Sequence, residues 1–307
     1  MLSTPILLIT FNRPNHVRLV LTEIRKQQPV QLFVFQDGAR DGNKLDQERV
    51  QQVRDVIKEL VDWPCELHTL YQEKNLGCGP GPITGINWFF SNVDKGIILE
   101  DDCIPSESLF EYYTELLDSY KEDEEIALIT GTNALGRWRS WQGDYFISKF
   151  GMTMGAWATW KRSWTLFDAD LSTWMDSKTK EDFRKFVGVN LYKTYQPILD
   201  YIYQNQVTDV WDYQWAYSCL SHKKYRIVST INQMSNIGFC EESTHTPNSN
   251  DRRANMKLYT CSFPLKKITV KKDLLFDYIM YQRFERLTPK GFWLKVFLKI
   301  VEFIYRR

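Results

Sequence analysis

Hydrophobic positions in the first 125 residues alternate between two periods. Short aliphatic runs at 5–10 (PILLIT), 31–36 (QLFVFQ), 65–71 (CELHTLY) and 96–100 (GIILE) have the length and density of buried strands. Between them, apolar residues recur at helical spacing: Val17, Val20, Leu21 and Ile24, then Val50, Val53, Ile57, Leu60 and Val61, then the short stretch ITGINWFF at 83–90. Strands and helices alternating in this way imply parallel strands joined by helical crossovers. A fourth helix is expected after residue 107: Ser108 and Glu111 have capping-box spacing, and Leu109, Tyr112, Tyr113, Leu116 and Tyr120 form its stripe. Further strands are read at 126–133 and 144–150, Trp157, Trp160 and Trp164 fall at helix-compatible spacing, and 214–220 is compatible with a helix. At 288–307, Thr288 and Pro289 suit a helix start. The rest of that segment is apolar except for one narrow stripe of Lys295, Lys299, Glu302 and Arg306.

This order of elements puts three adjacent acids, Glu100, Asp101 and Asp102, at the carboxyl end of a strand, on a tight turn into a helix. In open α/β sheets ligands bind outside the carboxyl ends of the strands, where Asn12, Arg13 and Asp37 are also expected. Three carboxylates in a row repel one another. Two readings fit the residue types: a solvated acidic turn, or hard oxygen ligands for Mg²⁺ or Mn²⁺, which take one or two carboxylates plus substrate phosphates.

Composition narrows the partners. A formal net charge of +1 gives no field to attract nucleic acid, and none is expected as a partner. Aromatic residues make up 15% of the chain, with eleven Trp, and such rings suit cores as well as the apolar faces of sugars and bases. The six cysteines show no CxxC spacing and are read as free thiols in a reducing compartment. With no signal-peptide pattern at the N-terminus and no clean spanning run, a cytoplasmic protein is expected.

The motifs in order carry a resemblance. Strand-NRP (12–14), strand-QDG (36–38), strand-LEDD (99–102), MGAWATWKRSW (154–164) and WDYQW (211–215) resemble the GT-A nucleotide-sugar glycosyltransferases, in particular the N-acetylglucosaminyltransferase I type and its bacterial relatives. The likeness spans roughly residues 3–250. It implies a GT-A (Rossmann-like) fold: a mixed, mostly parallel sheet flanked by helices, with a helical C-terminal appendage. The domain would cover 1–255, with a nucleotide-sugar-binding half at 1–125 and an acceptor-binding half at 126–255, and the appendage would cover 256–307.

By the same resemblance, Arg13 would contact the donor diphosphate, Asp37 the uracil edge, Asp101 the ribose and Glu100 the transferred sugar. Asp102 would ligate the metal, Mn²⁺ or Mg²⁺, and Asp212 would be the general base of an inverting transfer, with Asp209 as its rival. Of the tryptophans, Trp157 beside Gly155 would reach the sugar site, as would Trp211, the others forming core. His245 would be a late metal or phosphate ligand, its alternative being a solvated loop histidine. The sequence departs from the pattern at GCGPGP (77–82), where a basic residue facing the phosphates is expected; Arg252 and Arg253, in a polar loop at 241–255, are candidates to supply that charge.

The function implied is transfer of a sugar from a UDP-linked donor to a hydroxyl of a glycan or lipid-linked glycan, in bacterial surface polysaccharide assembly. Two other classes are open. A non-catalytic sugar- or nucleotide-binding descendant is supported by the uncharged GCGPGP loop. A sugar nucleotidyltransferase would share the sheet but should carry a glycine-rich first loop, which LLITFNRPN lacks. The segment 288–307 is expected to contact the inner face of a membrane peripherally, or else to dock on the protein's own core or a dimer partner.

Overall fold

The first strand, β1 (Ile6–Thr10), is buried along its whole length and is central to the sheet's first half. A computed structural model describes residues 1–151, 155–239, 251–270, 272–285 and 292–306. Proline at the first helical position opens α1 (Pro14–Gln27), which buries Val17, Val20, Leu21 and Ile24 as their spacing requires. Then follow β2 (Gln31–Gln36), α2 (Lys44–Leu60), β3 (Glu66–Tyr71), α3 (Pro80–Asn92) and β4 (Lys95–Glu100). Within α2, Asn43 caps the first turn by accepting from the Asp46 N–H at 3.1 Å. The segment β3 lies at the sheet's edge and is the most exposed of these strands.

After the acids come β5 (Cys103–Pro105), α4 (Leu109–Ser119), β6 (Ile126–Thr130), β7 (Tyr145–Ser148) and β8 (Ala156–Trp160). They are followed by a short α5 (Lys161–Trp164), α6 (Ser177–Val187), α7 (Val189–Asn205), α8 (Asp212–Ser221), β9 (Tyr225–Ser229), β10 (Met234–Asn236), α9 (Leu274–Met280) and α10 (Phe292–Tyr305). The sheet has eight strands in the order β3-β2-β1-β4-β8-β6-β9-β7. Strands β3, β2, β1 and β4 are parallel; β8 runs antiparallel to both β4 and β6; β9 is parallel to β6, and β7 antiparallel to β9. The result is the expected mixed, mostly parallel, Rossmann-like sheet flanked by helices. It sets the carboxyl ends of β1, β2, β4, β6 and β9 along one edge.

Alternation along the strands divides the core. Ile6, Leu8, Leu32, Val34, Ile97 and Leu99 face a cluster with Val20 and Ile24 of α1, Val53 and Ile57 of α2, and Tyr112 and Leu116 of α4. Leu7, Ile9, Phe33, Phe35 and Ile98 face the other way, onto Ile86 and Phe89 of α3 and Trp215 of α8. A third cluster holds the second half together, and the C-terminal helices α9 and α10 dock on it through Phe276, Ile279, Met280, Leu298 and Val301.

Two local expectations are corrected. The spacing of Trp157 and Trp160 does not mark a helix, because both lie on the reversed strand β8. Trp157 points into one core and Trp160 into the other, which satisfies strand alternation rather than a helical stripe. Ser108 stands at the N-cap of α4 but makes no cap, since its backbone is already helical there. Its hydroxyl instead donates to Gln233 Oε1 at 2.7 Å and accepts from the Cys261 N–H at 3.1 Å. Thr288 and Pro289 lie outside the described residues.

Candidate active site

Strand β4 is buried from Gly96 to Leu99, and its next residue is Glu100, so the acidic turn begins where the apolar run reaches the sheet's carboxyl edge. The Glu100 N–H donates to the Gly155 carbonyl at 2.7 Å, which ties the turn to the start of β8. Gly155 sits at φ +70°, and a Cβ there would collide with Cys103 Sγ. Only glycine lets the turn pack this closely, which gives the Gly155-Ala156-Trp157 segment a structural reason.

Each acid then meets a different neighbour. Asp101 is buried and accepts from the Phe11 N–H at 3.2 Å, linking the exits of β4 and β1. Asp102 Oδ2 pairs with Arg13 at 3.1 Å, and its Oδ1 accepts from Asn236 Nδ2 at 3.2 Å and from the Cys103 thiol at 3.1 Å. The short antiparallel ribbon of β5 and β10, with Asn236 opposite Cys103, brings 236–238 to this point. There the Ile237 N–H donates to the Asp102 carbonyl at 2.8 Å, and a Cβ on Gly238 would strike the Asp102 carboxylate. Asn236 was not among the residues the sequence singled out. Its neighbours offer no motif, and only the long-range pairing of β5 with β10 reveals it.

A fourth carboxylate comes from the second half. Asp212 is exposed at the first position of α8, directly after the cap residue Trp211. Its charge reaches Glu100. Burial, then Asp102, Asp101 and Asp212 in that order, push the Glu100 carboxyl up to about 8, while Arg13 pulls the other way. Burial followed by Asp102 pushes Asp101 up to about 7. Arg13 is the cation acting on Glu100 and Asp101 here, and its pull is outweighed, so both carboxyls resist ionisation. Asp209, the rival base, is exposed on the approach to α8.

Asp37 has a different setting. It accepts from the Gly38 and Leu76 N–H groups through Oδ1, at 2.9 and 2.8 Å, and from Asn75 Nδ2 and the Gly77 N–H through Oδ2, at 2.9 and 3.0 Å. These four donors fill the carboxylate's acceptor positions, so here Asp37 holds the loop ahead of α3. Burial still raises its pKa, against the three backbone N–H bonds that lower it. The GCGPGP loop that this carboxylate organises packs on the chain leading to α8: Cys78 Sγ donates to the Asp209 carbonyl at 3.1 Å, and a Cβ on Gly79 would run into the Thr208 carbonyl. Backbone lies against backbone at Gly79, which leaves no room there for a longer side chain.

The tryptophan expectation is corrected in part. Trp157 is 0% exposed and sits among Trp164, Trp211 and Trp215, with ring centroids 5.9–6.2 Å from its own, so it is core and offers no face to a sugar. Trp211 is buried in the same cluster and acts as a floor that fixes the start of α8. Arg253 pairs with Asp251 at 2.7 Å, and Arg252 is exposed beside it. His245 lies outside the described residues, as does most of the 241–255 loop.

The donor set suits a hard divalent cation: several carboxylates crowd together with excess negative charge. Among the described residues no three His, Cys, Asp or Glu side chains converge to cage an ion unaided. The fit is therefore to an ion held by one or two carboxylates and completed by a ligand's phosphates, and Asp102 is a residue that could ligate it. The five described cysteines are free, and Cys103 is fully buried at the turn.

No protein-family model matches the chain, and no curated protein matches it. Among solved structures it is similar to an apo UDP-glucose pyrophosphorylase, at 8% identity and a TM-score of 0.38, covering 76% of this chain and 93% of that one. It is also similar to 4-diphosphocytidyl-2C-methyl-D-erythritol synthase from Anaerococcus prevotii, at 8% identity and a TM-score of 0.32, covering 57% and 78%. A third is the glycosyltransferase GlyE of Streptococcus pneumoniae, at 14% identity and a TM-score of 0.28, covering 54% of this chain and 36% of that one. Similarity at this level concerns the layout of the sheet and carries no argument about chemistry.

Proposed function

We propose that the chain is an inverting glycosyltransferase that moves a sugar from a UDP-linked donor to a hydroxyl of a growing glycan, in assembly of a bacterial surface polysaccharide. One observation carries this reading: Asp212, from the second half, stands close enough to Glu100 to raise its pKa. An acid that starts a helix in one half thus lies within electrostatic reach of Glu100 in the other, and in this reading that is where a base would act on an acceptor beside a bound donor. The ordered motifs that resemble the N-acetylglucosaminyltransferase I type support the same assignment.

In this reading Arg13 binds the diphosphate, Glu100 the transferred sugar and Asp101 the ribose. Asp37 acts on the base indirectly, through the 75–77 loop that it holds in place. Asp102, oriented by Asn236, holds Mn²⁺ or Mg²⁺. The chemistry that ion supplies when bound is neutralisation of the departing diphosphate. In a single in-line displacement the acceptor oxygen bonds to the sugar's anomeric carbon as the bond to the diphosphate breaks, and the hydroxyl proton passes to the Asp212 carboxylate.

Nucleotidyl transfer is the second reading, and two features of the loop after β1 bear on it. The loop after β1 carries no glycine, and Asn12 within it is committed to Asp46 at 2.7 Å. A panel of nucleotide sugars with Mn²⁺, scored for UDP release with and without glycan acceptors, tests the proposal. UDP released only with acceptor is the expected result. Pyrophosphate formed from UTP and a sugar 1-phosphate would assign nucleotidyl transfer, and donor binding without turnover would assign the non-catalytic descendant.

A further inference from the structure

The apolar residues of α10 exceed what one docking face can cover. Leu298 and Val301 are buried, and Leu294 and Tyr305 pack against the same core. On the far side Phe297, Ile300 and Ile304 are 44%, 53% and 46% exposed, and Phe303 is 68% exposed. With 3.6 residues per turn, Phe297, Ile304, Ile300 and Phe303 succeed one another around the helix, and Lys299, Arg306 and Lys295 come next. The exposed surface is therefore an apolar strip with a cationic border. All three basic residues are exposed.

Neighbouring elements extend the strip. Tyr278 of α9 meets the Phe297 ring edge-on at 6.5 Å. Trp141, 52% exposed, stacks on Tyr305 at 5.9 Å and lines a shallow open cavity with Arg137, Ser140 and Ile304. Glu302, the single acid of α10, is engaged by Arg283 at 2.5 Å and Arg306 at 3.5 Å. The helix has no other carboxylate to set against Lys295 and Lys299.

We propose that this face docks on an anionic lipid surface, with the strip entering the acyl boundary, Lys295 and Lys299 at the headgroups and Trp141 and Tyr278 at the boundary depth that amphipathic rings favour. Charge selects this occupant over a second copy of the chain. An antiparallel pairing of the strip would set the two cationic borders on the same side and a parallel one would leave them without counter-charge, whereas anionic headgroups neutralise them. The contact is peripheral: among the described residues no helix is long and apolar enough to cross a membrane. It also has an orientation. The Arg139 N–H donates to the Tyr305 carbonyl at 2.7 Å, so the end of α10 is fastened to the segment that leaves the carboxyl end of β6, on the same sheet edge as the acids. The inference stands whether or not the chain transfers sugar.

Co-sedimentation of the full chain with phosphatidylcholine vesicles, with and without phosphatidylglycerol, tests it. The wild type should sediment with the anionic vesicles and far less with phosphatidylcholine alone. The double variant Lys295→Gln/Lys299→Gln should lose roughly 25-fold in affinity, about fivefold for each charge. Ile300→Ser/Ile304→Ser should lose on the order of tenfold or more without a fall in melting temperature, because both positions are exposed. Absence of sedimentation with anionic vesicles would overturn the proposal, as would undiminished binding by both double variants. A concentration-dependent dimer that Ile300→Ser/Ile304→Ser dissociates would assign the face to a second copy instead.

Discussion

Two acidic clusters lie on the same sheet edge, and their surroundings differ in kind. At the exit of β2, Asp37 has four hydrogen-bond donors, and nearby Asp46 is held by Asn12 and by Arg40. At the exit of β4, Glu100, Asp101 and Asp102, joined by Asp212, have Arg13 as their cation, and burial and mutual repulsion raise the first two. Asp46 is shifted the opposite way, below the ordinary carboxylate range, first by its hydrogen bond from Arg40. A carboxylate supplied with donors is architecture. Carboxyls raised by burial and by one another, as Glu100 and Asp101 are, are what a ligand-binding site is built from.

The largest effects should separate chemistry from scaffold. Asp212→Asn preserves shape and removes the base, so transfer should fall by about 10²–10⁴-fold while Mn²⁺-dependent UDP binding survives. Transfer near the wild-type rate would move the base to Asp209. Asp37→Ala should act through the fold, leaving donors of residues 75–77 without their acceptor at a loss of about 2–4 kcal/mol, read by urea denaturation. The matching change Asp102→Ala should abolish Mn²⁺-dependent UDP binding and shift stability by less than about 1 kcal/mol, since it also relieves repulsion. Equal destabilisation by the two would erase the distinction between the clusters.

The pH dependences contributed by Asp46 and Glu100 should have opposite signs. Asp46 binds fewer protons folded than unfolded, so its stabilisation is present above the unfolded carboxylate value and fades as pH falls through its depressed one. Glu100 binds more protons folded than unfolded between the ordinary carboxylate range and about 8, so the stability it permits declines as pH rises through that window. Without divalent cations the melting temperature should drop between pH 6 and pH 8, and Glu100→Gln should flatten that drop. Parallel slopes in variant and wild type would place the titration elsewhere. The smallest effect belongs to Asn236→Ala, which removes one of the two donors to Asp102 Oδ1 and should weaken Mn²⁺-dependent UDP binding by about tenfold at unchanged melting temperature.

Much of this was legible in the residues because it is local. The short apolar runs located β1 to β4 and the period-3.6 stripes α1 to α4, though not β5, and the acids were placed at a strand end by counting. What escaped depended on distance in sequence. β8 reads as a helix because Trp157 and Trp160 stand three apart, and only its insertion between β4 and β6 shows that each ring serves a different core. Helix α7 carried a usable signal, Leu191, Tyr195, Leu199 and Ile202, although Pro197 interrupts it. Asn236 had none, since its meaning comes from a ribbon pairing with residues more than a hundred positions away. Asp37 was not legible as a scaffold residue, because three of its four donors are backbone N–H groups that any sequence would supply.

The contact at Gly79 bears on whether the halves can be exchanged. The loop organised by Asp37 meets the chain at Thr208 with no side chain between them, four residues before Asp212. A recombinant that joins residues 1–125 to the second half of a distant homologue would have to reproduce that backbone contour to within the thickness of a methyl group. Crossovers placed near the midpoint should therefore yield folded but inactive chimaeras far more often than crossovers that keep 75–82 and 205–215 from the same parent. The molecule looks bipartite in sequence, yet in inheritance these two segments form one unit.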